Sequence, residues 1–114
     1  MVAHVVLFRP RAGLGAEERR ALVDAFSRAL RDIPGIRRAA IGRRVTHGRP
    51  YESLMHERYD FAAIIEFDDV RALTRYLEHP AHEELGRRFF DSFEAALIYD
   101  YEMTEGVEGL AAML

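Results

Sequence analysis

The chain of 114 residues contains no cysteine, which removes disulfides, zinc–thiolate sites, iron–sulfur clusters and thiol nucleophiles from consideration. It has no apolar run near the ~20 residues that a membrane helix needs, so no membrane contact is expected. The stretch from Met1 to Arg9 has no basic segment ahead of its apolar run and no small-residue cleavage site behind it. It does not read as a signal peptide, and a cytoplasmic location is expected. A basic excess is missing as well: the formal net charge is −3, whereas a nucleic-acid surface calls for clustered cations. The one basic stretch, Arg37, Arg38, Arg43 and Arg44, has no interleaved aromatics and reads as a solvated or interface-facing strand edge, so no nucleic-acid partner is expected. There is no Gly-rich phosphate loop, no nucleophile elbow and no Ser/His/Asp arrangement, Gly13-Leu14-Gly15 being too short and ordinary to count. No cofactor is expected.

What is present is the composition of an ordinary globule, 49% hydrophobic and 31% charged, on a chain with room for one domain. Val2 to Phe8 is apolar on both alternating faces, as in a strand buried on two sides. Leu22, Phe26 and Leu30 recur at helical spacing after Glu17 and Glu18, and Pro34-Gly35 ends that helix. Ile36 to Val45 reads as a second strand. Thr46 to Tyr59 is a long connection, expected to serve as a lid or a dimer contact. Phe61 to Phe67 is a third strand, and Asp68 or Asp69 can cap a helix whose inward stripe is Val70, Leu73 and Leu77. That helix is interrupted at His79-Pro80, and the restarted segment buries Ala81, Leu85, Phe89 and Phe93. Ala95 to Glu102 forms the fourth strand.

The order implies an α+β fold: a ferredoxin-like β-α-β-β-α-β unit over residues 1–102 with a four-stranded antiparallel sheet, followed by a tail over residues 103–114. Strands that are apolar on both faces would leave one sheet face bare in a lone unit. A homodimer is therefore expected, sheet against sheet, pairing two units into a dimeric α+β barrel, with the Leu110 and Leu114 tail able to reach the partner.

Four stretches carry a resemblance: His4-Val5-Val6-Leu7-Phe8, Tyr59-Asp60-Phe61 running to Glu66-Phe67, His79-Pro80-Ala81-His82, and Tyr99-Asp100-Tyr101. Through them the chain resembles the stress-responsive A/B barrel family. The resemblance implies a dimeric α+β barrel with a ligand-sized cavity between each sheet and its helices. In a plant polyketide cyclase of that family, which closes a linear polyketide thioester by an intramolecular aldol reaction, the matching positions imply His82 as the catalytic histidine and Tyr76 as the catalytic tyrosine. The strand histidine of that enzyme falls on His4 and its strand aspartate on Asp100. The longer connection at Thr46 to Tyr59 and the carboxyl-terminal extension depart from the family pattern.

An aldol closure needs a base for an activated carbon and a donor for the developing oxyanion. His82 and Tyr76 are one of each. His82 lies in a first helical turn, where the dipole favours the neutral ring, and Asp100 is expected near it as an orienting group whose charge opposes the dipole. Each residue has a plainer role: His82 bonded to backbone or solvent, Tyr76 half-buried in the core, His4 a satisfied wall of the cavity. His79, His82 and His4 would need a supporting carboxylate to hold a metal, none falls at the right spacing, and no metal site is expected. Three functions are thus open. The first is a stress-response or small-ligand-binding protein for an apolar carbonyl or aromatic compound. The second is a cofactor-free cyclase, lyase or isomerase using His82 and Tyr76. The third borrows from monooxygenases built as dimeric α+β barrels.

Overall fold

The computed structural model describes all of residues 1–114. Strand β1 (Val2–Pro10) leads into helix α1 (Ala16–Asp32), then β2 (Ile36–Arg43), β3 (Phe61–Phe67), the helix pair α2 (Val70–Glu78) and α3 (Pro80–Ser92), β4 (Phe93–Glu102) and a short α4 (Glu108–Met113). Acidic Glu17 and Glu18 open α1 and Arg31 closes it, each matched to the helix dipole. The turn after α1 uses Gly35 at φ +91, a left-handed conformation that costs glycine little. A Cβ there would stand 3.5 Å from Ala72 Cβ, an ordinary contact, so the backbone angle and not the space is what calls for glycine.

The sheet order is β2-β3-β1-β4, with every pair antiparallel, which is the ferredoxin-like arrangement expected from the order of elements. β1 is central, so Val6 sits opposite Ala63 on one side and Ile98 on the other. Alternation then sends Val2, His4, Val6 and Phe8 of β1, with Ala63, Ile65 and Phe67 of β3, toward the helices. They form two clusters. Ala25 and Ala29 of α1 and Ile33 just after it pack with Ile65, Phe67, Leu73, Tyr76 and Leu85. At the other end Phe8 meets Phe61, Phe89 and Phe93 at ring-centroid separations of 5.7, 5.5 and 4.7 Å, within the range that favours aromatic pairs.

The opposite sheet face carries Val5, Leu7, Ala62, Ile64, Leu97, Tyr99 and Tyr101. Ile64, Tyr99 and Tyr101 are 42%, 54% and 52% exposed, so this apolar face is bare in a single chain. The connection from Thr46 to Tyr59 borders that face: Tyr51, Met55, His56 and Tyr59 surround a hollow floored by Leu7, Ala62 and Leu97. Arg9 fixes its far end, bonding Glu57 and Glu94 at 2.7 Å each. No helix is long and apolar enough to cross a membrane.

Several boundaries differ from the sequence reading. β2 stops at Arg43 instead of Val45. The long connection contains a 3-10 turn at Pro50–Leu54, started by Pro50 and held by Glu52, whose carboxylate accepts from the His47 and Gly48 N–H groups. The α2 stripe is Ala72, Leu73 and Tyr76, because Val70 is the first residue of the helix and, like Leu77, is exposed. Phe93 begins β4 rather than ending a helix, and part of the tail folds as α4. Of the two candidate caps Asp69 takes the role, accepting from Ala72 N at 2.8 Å.

Candidate functional site

The site grows from the break between α2 and α3. Pro80 occupies the first position of α3, where its missing N–H is harmless, and His79 Nδ1 accepts from Ala81 N at 3.0 Å. His79 is therefore a cap. One turn back, Tyr76 is driven into the core at 1% exposure, far deeper than the half-buried position expected for it. One turn on, His82 enters from α3. His4 arrives from the middle of the sheet, and antiparallel register sets Asp100 of β4 directly opposite it.

The Tyr76 ring lies 4.7 Å from that of His82 and 5.7 Å from that of His4, edge-on to both at 61° and 63°. All three line one narrow slot of about 80 Å³ between the sheet and α3, with Val6, Ile65, Leu85, Gly86, Phe89, Phe90 and Ile98 among its walls. Tyr76 makes no hydrogen bond within the chain. Since no fully buried polar side-chain atom lacks a partner, its hydroxyl reaches the open space of the slot.

Asp100 sits elsewhere than expected. Its carboxylate bonds His4 Nδ1 at 2.6 Å, so it orients His4 and not His82, because register with β1 rather than proximity to α3 decides its neighbour. With Nδ1 turned to the carboxylate, Nε2 is the ring nitrogen of His4 left free for other work. Burial holds the His82 pKa below the ordinary histidine value, the nearby His4 adds to the effect, and the Leu77 carbonyl and Glu83 only partly oppose it. Burial also pushes the Tyr76 hydroxyl up to about 12. Near neutral pH the slot thus holds a neutral imidazole able to accept a proton beside a phenol that keeps its own and can donate a hydrogen bond.

All sixteen Lys and Arg residues are arginine. With no lysine in the chain, a lysine Schiff base is excluded. No three His, Asp or Glu side chains are grouped as metal ligands would be. The sequence reading missed Gly86, Phe90 and Ile98. The signal for the first two was present, since His82, Gly86 and Phe90 follow at i, i+4 and i+8 on one helix face; Ile98 needed the β1–β4 register. A second, larger hollow of about 600 Å³ opens beneath α1, lined by Leu14, Leu22, Ile41 and Phe93 among others, and Phe8 and Phe26 border both spaces.

A family model described as the stress responsive A/B barrel domain matches residues 2–103. The uncharacterised protein SCO4036 of Streptomyces coelicolor is 38% identical over 104 residues, covering 90% of this chain and 99% of that one. Among solved structures, a ferredoxin-like protein of the same family from Mesorhizobium loti is 30% identical with a TM-score of 0.69, over 90% of this chain and 96% of its own. A dimeric ferredoxin-like protein of unknown function from Bacteroides fragilis is 27% identical, TM-score 0.62, over 90% and 95%. A hydroxynitrile lyase from Passiflora edulis has a TM-score of 0.76 at 17% identity, over 92% and 94%, a likeness of fold alone.

Proposed function

Because the chain belongs to the stress-responsive A/B barrel family, we propose that it works as a homodimer whose slot binds a small apolar carbonyl or aromatic compound and moves a proton on it without a cofactor, as in a lyase or isomerase. The observation that carries this reading is the Tyr76 hydroxyl, which makes no bond within the chain, opens onto the slot and is flanked by the rings of His4 and His82. A donor that the fold does not use is free to bond a ligand.

In this reading the carbonyl oxygen of the ligand accepts from Tyr76. His82, neutral because of its burial, takes the proton from the adjacent carbon; the C–H electron pair becomes a carbon–carbon π bond, and the carbonyl π pair moves onto the oxygen as an enolate that Tyr76 stabilises. His4, held by Asp100, presents its second nitrogen for the return of a proton. The volume of about 80 Å³ suits a reacting end of few heavy atoms rather than a folded polyketide chain, which favours lyase or isomerase chemistry over cyclisation. The bare face around Ile64, Leu97 and Tyr99 and the dimeric Bacteroides fragilis relative support the homodimer, with the exposed Leu110 and Leu114 of the tail lying against the partner. The test is deuterium uptake from heavy water into the methyl group of acetophenone. The protein should accelerate it beyond an equal concentration of imidazole, and His82→Ala should remove about 10²–10⁴ of that rate, the usual worth of a general base. No acceleration would leave a binding protein only.

A further inference from the structure

The slot has direction. Its floor is β1, running from His4 through Val6 to Phe8; one wall is α3, carrying His82, Gly86 and Phe90; the other is β4, carrying Asp100, Ile98 and Ala96 opposite those three β1 residues in turn. Four strand residues and eight helix residues rise nearly the same distance, roughly 12–13 Å, so the two walls keep step. Every polar group gathers at the His4 end: His4, Asp100, His82 and Tyr76. The other end is apolar, and its outer lips are open, Phe90 being 72% and Ile98 46% exposed. Between the ends stands Gly86. A glycine inside a helix costs roughly 0.5–1 kcal/mol relative to alanine, yet a Cβ built on it meets nothing within 4 Å. No packing neighbour requires the glycine, and what its missing side chain leaves is room in the slot.

Resting on the function proposed above, the geometry points to a ligand with two parts: a carbonyl end seated in the slot at Tyr76 and a flat apolar ring that runs past Gly86 and out between the open lips of Phe90 and Ile98. Phe90 and Ile98 determine specificity by selecting the ring, and Gly86 keeps its path clear. An aromatic face and a branched aliphatic side chain on facing walls form a clamp for a planar group, and the polar end fixes which end of the ligand goes in.

Two ketones separate the parts: acetone, which has only the carbonyl end, and acetophenone, which adds the ring. Each is titrated into protein carrying ¹³C-labelled histidine rings and isoleucine δ-methyl groups. Both should shift the His4 and His82 rings, and only acetophenone should shift the Ile98 methyl. Phe90→Ala should weaken acetophenone roughly three- to tenfold, the range that aromatic pairing supplies, and leave acetone unchanged. Gly86→Leu, which fills open space and favours the helix, should weaken acetophenone by at least as much while the protein stays folded. If acetophenone shifts the histidine rings but neither Ile98 nor its response to Phe90→Ala follows, the ring lies elsewhere and this inference falls while the proposed function stands. Failure of both ketones to shift the histidines overturns the two together. A loss of dimer mass in Phe90→Ala would make Phe90 a subunit contact and overturn the clamp.

Discussion

Replacing Tyr76 by phenylalanine separates what the fold needs from what the site needs. The ring of Tyr76 is core: it lies 5.1 Å from Phe67, 4.7 Å from His82 and 5.7 Å from His4, and phenylalanine keeps all three contacts. The hydroxyl has no partner within the chain and opens only onto the slot, and burial raises its pKa to about 12, so the fold gains no bond from it. Deleting a tyrosine hydroxyl that is hydrogen-bonded usually costs about 1 kcal/mol. Here nothing is left unpaired by the deletion, and the expected change runs from zero to about 1 kcal/mol of added stability. For a domain of this size that is a rise in melting temperature of up to ~4–8 °C. Thermal unfolding followed by circular dichroism reads it, and acetophenone deuterium uptake measured on the same sample should fall, because an oxyanion donor acts most in the transition state. A loss of more than about 1 kcal/mol in Tyr76→Phe would show that the hydroxyl bonds to the fold, and the case for a vacant donor in the slot would be refuted.

Three further outcomes follow from the same geometry. His82 has a folded-state pKa below the 6.5 of an unperturbed ring, so the unfolded chain binds its proton more tightly; stability is whole above that value and is lost as pH falls through 6.5 toward the folded pKa. A midpoint at or above 6.5 in a histidine NMR titration would contradict this, and His82→Gln should flatten the acid limb of the stability curve. Asp100→Asn should loosen the His4 ring, converting one fixed tautomer into a mixture read from ring ¹⁵N shifts, while the His82 shifts barely move; the reverse pattern would mean that Asp100 serves His82 after all. Asp69→Ala removes the α2 cap on Ala72 N and should cost about 1 kcal/mol in thermal unfolding, with an unchanged melt refuting the cap.

The order of elements was legible because each had a local cause: the two-sided alternation of Val2 to Phe8, the four-residue recurrence of Leu22, Phe26 and Leu30, the break at Pro80. A shared cavity for His4, Tyr76 and His82 was suggested by the break at Pro80 and the sheet face of His4 and strengthened by the resemblance, but no local pattern measures a distance between a strand and a helix so far apart in sequence. Asp100 shows where local reading stops. Alternation placed it on the helix-facing side of β4, but its neighbour is fixed by pairing with β1 at the far end of the chain, and a shift of two residues would have given it another. The depth of Tyr76 was hidden for a similar reason: Val70 and Leu77 outrank it in hydropathy, yet the α2 face toward Phe67 and Ile65 is the one with Ala72, Leu73 and Tyr76. Gly86 looked like a defect in a helix, and it acquires meaning only once β4 stands opposite.

The most direct measurement is a crystal structure of the protein with acetophenone bound. The carbonyl oxygen should lie within about 2.6–3.2 Å of the Tyr76 hydroxyl, the span of a catalytic hydrogen bond, with the methyl carbon facing the His82 ring. A ligand seated in the hollow beneath α1, with the Tyr76 hydroxyl still unpartnered, would contradict the proposed function.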